Sequence, residues 1–186
     1  MRKVLFLFGQ LNDDDVEWML TAGARRFVPA GAVIIKQGVP VDSVFILLEG
    51  RLAVWLAPRR GPEKEIARLN AGEIVGEMSF VDARPPSATV KALEDSTVFA
   101  ISKTALNAKL AADQGFGARF YRALAIYLST TVRERHRALG VGVGTGVPDG
   151  AEEEEDDADE LDANVLDGVY LAGERFDRMV KRVLVT

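Results

Sequence analysis

The chain has 186 residues, 48% of them hydrophobic, which is enough to bury one core, and it has no cysteine, so disulfides and thiolate metal sites are excluded. A single histidine, His136, excludes a multi-histidine metal centre. The net charge of −5 hides an asymmetry: nine of the 28 acids lie between Glu152 and Asp162 with no base among them, leaving a mildly basic body and an acidic tail that disfavours wrapping nucleic acid.

Taken in order, Met1–Gly9 runs from basic to apolar. It is too short for a secretory leader, lacks a small-residue cleavage site, and meets Asp13, Asp14 and Asp15 too soon, so it reads as a packing segment. No run approaches the length of a membrane span, and the expectation is a cytoplasmic protein. Asn12–Leu20 predicts a helix with an acidic first turn, ending near Gly23. From Arg25 short apolar or β-branched runs alternate with glycines. Arg25–Val28, Val33–Lys36, Val44–Leu48, Leu52–Leu56, Glu63–Leu69, Ala88–Ala92 and Thr97–Ile101 all predict strands, and the Glu49-Gly50 step suggests a hairpin. Many short strands at close spacing argue for a sandwich or barrel.

After Ser102 the period becomes helical. A short helix starts there and a longer one covers about Phe116 to Leu139. Its apolar stripe of Phe116, Phe120, Leu124, Tyr127, Leu128 and Thr131 is either a face packed on the strands or a dimer seam. Residues 140–162 read as a glycine-rich and then acidic linker. A last amphipathic helix follows over residues 163–186, with Val165, Val169, Ala172, Phe176, Met179, Val180 and Val183 on one face. Docking on its own domain or on a second copy suits that face better than a membrane or another partner.

The most informative run is Gly76-Glu77-Met78-Ser79-Phe80-Val81-Asp82-Ala83-Arg84-Pro85-Pro86-Ser87-Ala88-Thr89-Val90. It predicts a glycine turn, one turn of helix whose free N–H groups can face an anion, a loop and a strand. With Pro29-Ala30-Gly31, Gly38 and Phe45-Ile46-Leu47-Leu48-Glu49-Gly50, and with the order of elements, this run resembles the phosphate-binding cassette of the cyclic-nucleotide-binding domain family, over roughly Leu11 to Leu139. The resemblance implies an α+β, mainly β fold. Its centre is a β-roll (a jelly-roll barrel) with an N-terminal helix, a long C-terminal helix and, in this chain, an extra tail helix. Residues 1–139 would form the domain.

Carried over by position, Gly76 would shape the cassette turn and Glu77 would accept the ribose 2′-hydroxyl. Met78 and Ser79 would present backbone amides to the phosphate, and Ser87 and Ala88 would touch its oxygens. Thr89 would offer a hydroxyl near the base, and the long helix would cap the base near Thr131. One position departs from the family. Pro86 stands where the family places an arginine for the phosphate, and proline supplies neither charge nor N–H. Arg84 is the cation nearby that could take that role if its guanidinium turns inward.

The function implied is a regulatory sensor that binds cyclic AMP or cyclic GMP, with no cofactor required. It would signal through helix rearrangement to an unidentified protein partner, as a homodimer paired through the long helix. The alternative is a degenerate scaffold, an oligomerisation or protein-interaction module that binds no nucleotide. A DNA-binding regulator is disfavoured because residues 140–186 supply no recognition helix, and no catalytic set supports an enzyme.

Overall fold

Alternation along the strands determines how the layers stack. The structure, a computed structural model, describes residues 4–58, 60–138 and 163–185. Two helices come first, α1 (Val4–Gln10) and α2 (Asp13–Ala22). The strands are β1 (Gly23–Val28), β2 (Val33–Ile35), β3 (Ser43–Glu49), β4 (Arg51–Leu56), β5 (Lys64–Asn70) and β6 (Ile74–Val75). The short helix α3 (Glu77–Val81) then leads to β7 (Thr89–Ala92) and β8 (Ser96–Ser102). Three helices complete the chain: α4 (Lys103–Ala112), α5 (Gln114–Ala138) and α6 (Ala163–Val185). Every strand expected from the sequence is present. β6 is an addition, two residues long and too short to show a period.

The strands form two four-stranded antiparallel sheets, ordered β1-β8-β3-β6 and β2-β7-β4-β5. β3 and β4 therefore do not pair as the expected hairpin. Gly50, at φ 90°, passes the chain from one sheet to the other, and a Cβ there would lie 2.8 Å from the Asp95 carbonyl oxygen. Phe45 and Leu47 point between the sheets onto Leu52, Val54, Val90 and Val98. Val44, Ile46 and Leu48, one residue out of phase, point to the helical side with Phe99 and Ile101. β3 is thus buried on both faces, which is why it reads as an unbroken apolar run.

The helical layer is tied down by charge as well as by packing. Asn12 and Asp15 form a reciprocal capping box on α2. The buried Asp15 carboxylate also receives a two-pronged bond from Arg119 of α5, at 2.7 and 2.8 Å. The packing segment expected at the start is helical, and its Phe6, Leu7 and Phe8 are buried. Over it lies α6, with Ala172, Phe176 and Met179 in the same core as Phe116, Phe120 and Leu124. Arg175 of α6 donates to the Phe8 and Leu11 carbonyls and pairs with Asp13 (2.7 Å), while Arg182 pairs with Glu17. The apolar stripe expected on the long helix is the face packed on its own domain: Phe116, Phe120, Leu124 and Tyr127 are buried in it. The linker expected over residues 140–162 lies outside the described residues.

A candidate ligand cavity beside the cassette turn

A cavity of about 250 Å³ opens between the β2-β7-β4-β5 sheet, the β6–α3 turn and the middle of α5. Its walls are mainly apolar, with Ile35, Val54, Leu69, Val75 and Val90 among them. Gly76, Glu77, Met78 and Ser79 close one end, and Pro86, Ser87 and Ala88 border it from the loop before β7. Tyr127, Thr131 and Glu134 look in from α5.

Each side of the cavity has an identifiable local cause. Gly76 caps α3 in the left-handed region at φ 88°, where a Cβ would sit 2.9 Å from the Ser43 carbonyl oxygen, so that turn requires glycine. Ser79 is buried. Its Oγ donates to the Gly76 carbonyl (3.2 Å) and accepts from Lys103 Nζ (2.8 Å). The loop before β7 is fastened by Gly38 N–H to the Pro86 carbonyl at 2.9 Å. Tyr127 fixes α5 over β6: its hydroxyl donates to the Ile74 carbonyl (2.9 Å) and accepts from the Ile74 N–H (3.2 Å). Four residues on, Thr131 presents a buried Oγ1 with no hydrogen-bond partner among the described residues. Buried hydroxyls are ordinarily paired, so an unpaired one bordering a cavity is available to a water or a ligand there.

Seven of the residues singled out from the sequence line this cavity: Gly76, Glu77, Met78, Ser79, Ser87, Ala88 and Thr131. Two stand outside the lining. Thr89 is buried and spends its hydroxyl accepting from the Gln37 N–H (3.1 Å). Arg84 is exposed: the Asp82 carboxylate accepts its N–H at 3.0 Å, and Ala83, at φ 55°, turns the chain just before it. Arg84 thus stands outside the cavity lining, whereas Pro86 borders the cavity. Among the lining residues the sole Lys or Arg is Arg68, whose Nε is held by Glu65 at 2.6 Å and whose side chain is 65% exposed.

Sequence reasoning missed Arg68, Glu73, Tyr127 as a roof residue, Glu134 and Lys103. No local motif marks them, since they reach the cavity or its wall from separate elements. Lys103 lies behind Ser79 rather than in the lining. Burial pushes its ammonium below the usual lysine range, against the opposing pull of Asp42 and Asp82. Among the described residues no cluster of three or more His, Asp or Glu could hold a metal ion, and no helix is long and apolar enough to cross a membrane.

The sequence pattern of the family described as cyclic nucleotide-binding domain matches residues 25–113, from β1 to the end of α4. These residues belong to the cyclic nucleotide-binding domain family. The cyclic AMP receptor protein of Thermus thermophilus is 32% identical over 95 residues, covering 51% of this chain and 44% of that protein. Among solved structures, the catabolite activator protein of Thermus thermophilus aligns with a TM-score of 0.62 at 27% identity, over 73% of this chain and 62% of that one. A cyclic nucleotide-binding domain from Methylobacillus flagellatus shares the fold, with a TM-score of 0.68 at 24% identity over 78% of this chain and 85% of the other. The chain thus spans less than half the length of that curated relative. In the cyclic nucleotide-binding domain the cassette falls within residues 25–113, whereas Tyr127 and Thr131 come from α5, beyond them.

Proposed function

We propose that this chain is a cytoplasmic regulatory module that takes a cyclic mononucleotide into the cavity and reports occupancy to a partner through its helices. The observation that carries this reading is the unpaired Thr131 hydroxyl bordering the same cavity as the cassette turn. Glu77 would accept the ribose 2′-hydroxyl. The backbone at Met78 and Ser79, with Ser87 and Ala88, would meet the cyclic phosphate. The base would lie against the apolar wall under α5, with Thr131 as its polar contact. A ligand that touches both α3 and α5 binds best when the two are close, so it favours that arrangement over a more open one. The relative from Thermus thermophilus is named for cyclic AMP, which supports the ligand class and leaves the choice between adenine and guanine to measurement.

Pairing of two copies through α5 belongs to the same proposal, on a different stripe from the one expected. Tyr121, Ala125 and Val132 lie at steps of four and seven along α5, and Tyr121 and Val132 remain 49% and 50% exposed. That spacing suits a helix-on-helix seam.

A second reading is favoured by Pro86. With proline at the phosphate position and Arg84 exposed outside the lining, the domain would serve as a protein-interaction scaffold that binds no nucleotide. Calorimetric titration with cyclic AMP and cyclic GMP separates the two. Saturable uptake by the wild type, lost in Glu77→Ala, is the expected result. No heat at millimolar nucleotide from a folded sample would leave the scaffold reading standing.

A further inference from the structure

We propose that Lys103 supplies, through Ser79, the positive charge that the cassette lacks at Pro86. This rests on the reading that the cavity receives a cyclic nucleotide and names the residue that would recognise the ligand's charge.

The geometry has three parts. Lys103 Nζ donates to Ser79 Oγ at 2.8 Å, and Ser79 is one of the residues that line the cavity, so one residue separates the ammonium from the ligand space. Ser79 Oγ donates in turn to the Gly76 carbonyl at a long 3.2 Å. An incoming phosphate oxygen is a stronger acceptor than that carbonyl, and the hydroxyl proton can turn to it without disturbing the bond from Lys103. A hydroxyl that already accepts from an ammonium is polarised, and its own proton becomes a better donor to an anion. Lys103 also anchors the wall, because its own N–H donates to the Asp42 carbonyl at 2.7 Å, at the β8–α4 corner.

The placement runs against the interests of α4. Lys103 is the first residue of that helix, where the partial positive charge of the N-terminus disfavours a cation, and the first turn holds no acid to offset it. Burial adds to the disadvantage and depresses the ammonium's proton affinity, with Asp42 and Asp82 nearby working the other way. The bond to the cassette is what this lysine gains in return. Lys103 is accordingly a positioning residue: it acts on the ligand through the hydroxyl and through its field, without contact.

The test uses the full chain, cyclic AMP, and the uncharged methyl triester of the same cyclic nucleotide. Lys103→Gln keeps a donor for Ser79 and removes the charge, and Lys103→Arg keeps the charge. Lys103→Gln should weaken cyclic AMP roughly tenfold, the ~1.4 kcal/mol of one decade, and shift the neutral ester by no more than about twofold. Lys103→Arg should hold cyclic AMP affinity near wild type. Unchanged affinity in Lys103→Gln, an equal loss for both ligands, or an equal loss in Lys103→Arg overturns the proposal. Where the ester binds too weakly to follow, the glutamine and arginine variants decide alone. If Lys103→Gln does not fold, Ser79→Ala must produce the same selective loss. A wild type that takes up no cyclic AMP overturns instead the reading of the cavity, and this inference with it.

Discussion

Single residues hold the helical layer in place, and Asp15 shows how. Its carboxylate is 2% exposed and serves three donors: the Asn12 N–H and both prongs of Arg119. Burial alone would raise its pKa, but the Arg119 bonds and the Asn12 N–H outweigh it and hold the group below its ordinary value of 3.8. A carboxylate depressed in the folded state adds stability that is complete above its unfolded pKa and is lost as pH falls through the folded one. Asp15→Asn should therefore cost ~2–3 kcal/mol at pH 7, where charged hydrogen bonds are lost. That difference should shrink as pH drops below 3.8. Urea midpoints of the two proteins at neutral and acid pH check this, and a gap that stays constant would remove Asp15 from the account. The capping box was legible as an acidic start to a helix, because it is local. The partner Arg119 was not, since it lies 104 residues away.

At the level of elements, the open question was where the tail helix goes. Its apolar face was visible as a period, with Ala172, Phe176 and Met179 on one side, yet nothing in that period says what covers it. The structure sets it on α1, where Phe176 packs at 6.1 Å from the Phe8 ring. Arg175 reaches between them to the Phe8 and Leu11 carbonyls. Phe176 is 1% exposed, and truncating a phenylalanine so buried costs ~3–5 kcal/mol. Phe176→Ala should lower the thermal midpoint of the whole protein in one cooperative transition, because α6 shares its core with α5. A roll that melts at the wild-type temperature after this change would mean that α6 is an independent arm. The same contacts explain why the opening segment is a helix. The helix that carries Phe6, Leu7 and Phe8 packs against both α5 and α6, and a short apolar run takes the form its neighbours can pack.

For the whole molecule, the two faces of α5 divide the work. The inner face, with Phe116, Phe120, Leu124 and Tyr127, completes the core and pins the roof of the cavity through the Tyr127 hydroxyl. The outer stripe is where the proposed second copy would pack. Val132→Glu should convert a dimer to a monomer in sedimentation and alter the fold's stability by no more than ~0.5 kcal/mol, since exposed sites tolerate such changes. Sedimentation of this variant identical to that of the wild type would count against pairing through α5. Either face could have served as a seam when only the spacing was known. The roll claims the more aromatic face because large rings fill the gap between α2, α3 and the β1-β8-β3-β6 sheet, as the Phe116 contact with Trp18 at 5.2 Å and the Phe120 contact with Phe80 at 5.9 Å illustrate.

The sequence by itself determined what depends on neighbours along the chain. The two-residue and 3.6-residue periods set the order of strands and helices, and the run from Gly76 to Val90 marked the cassette, six of whose singled-out residues line one cavity. Tertiary structure decided what depends on direction and on distant partners. A bond from the Arg84 backbone N–H to Asp82 and the left-handed turn at Ala83 shape the loop in which Arg84 is exposed. The spacing of sheet and helix leaves Thr131 unpaired, and the β8–α4 corner brings Lys103 to Ser79 across 24 residues of chain. Local pattern reports the conformation of a segment, whereas the charge that reaches a cavity is a sum over elements that meet only once the chain has folded.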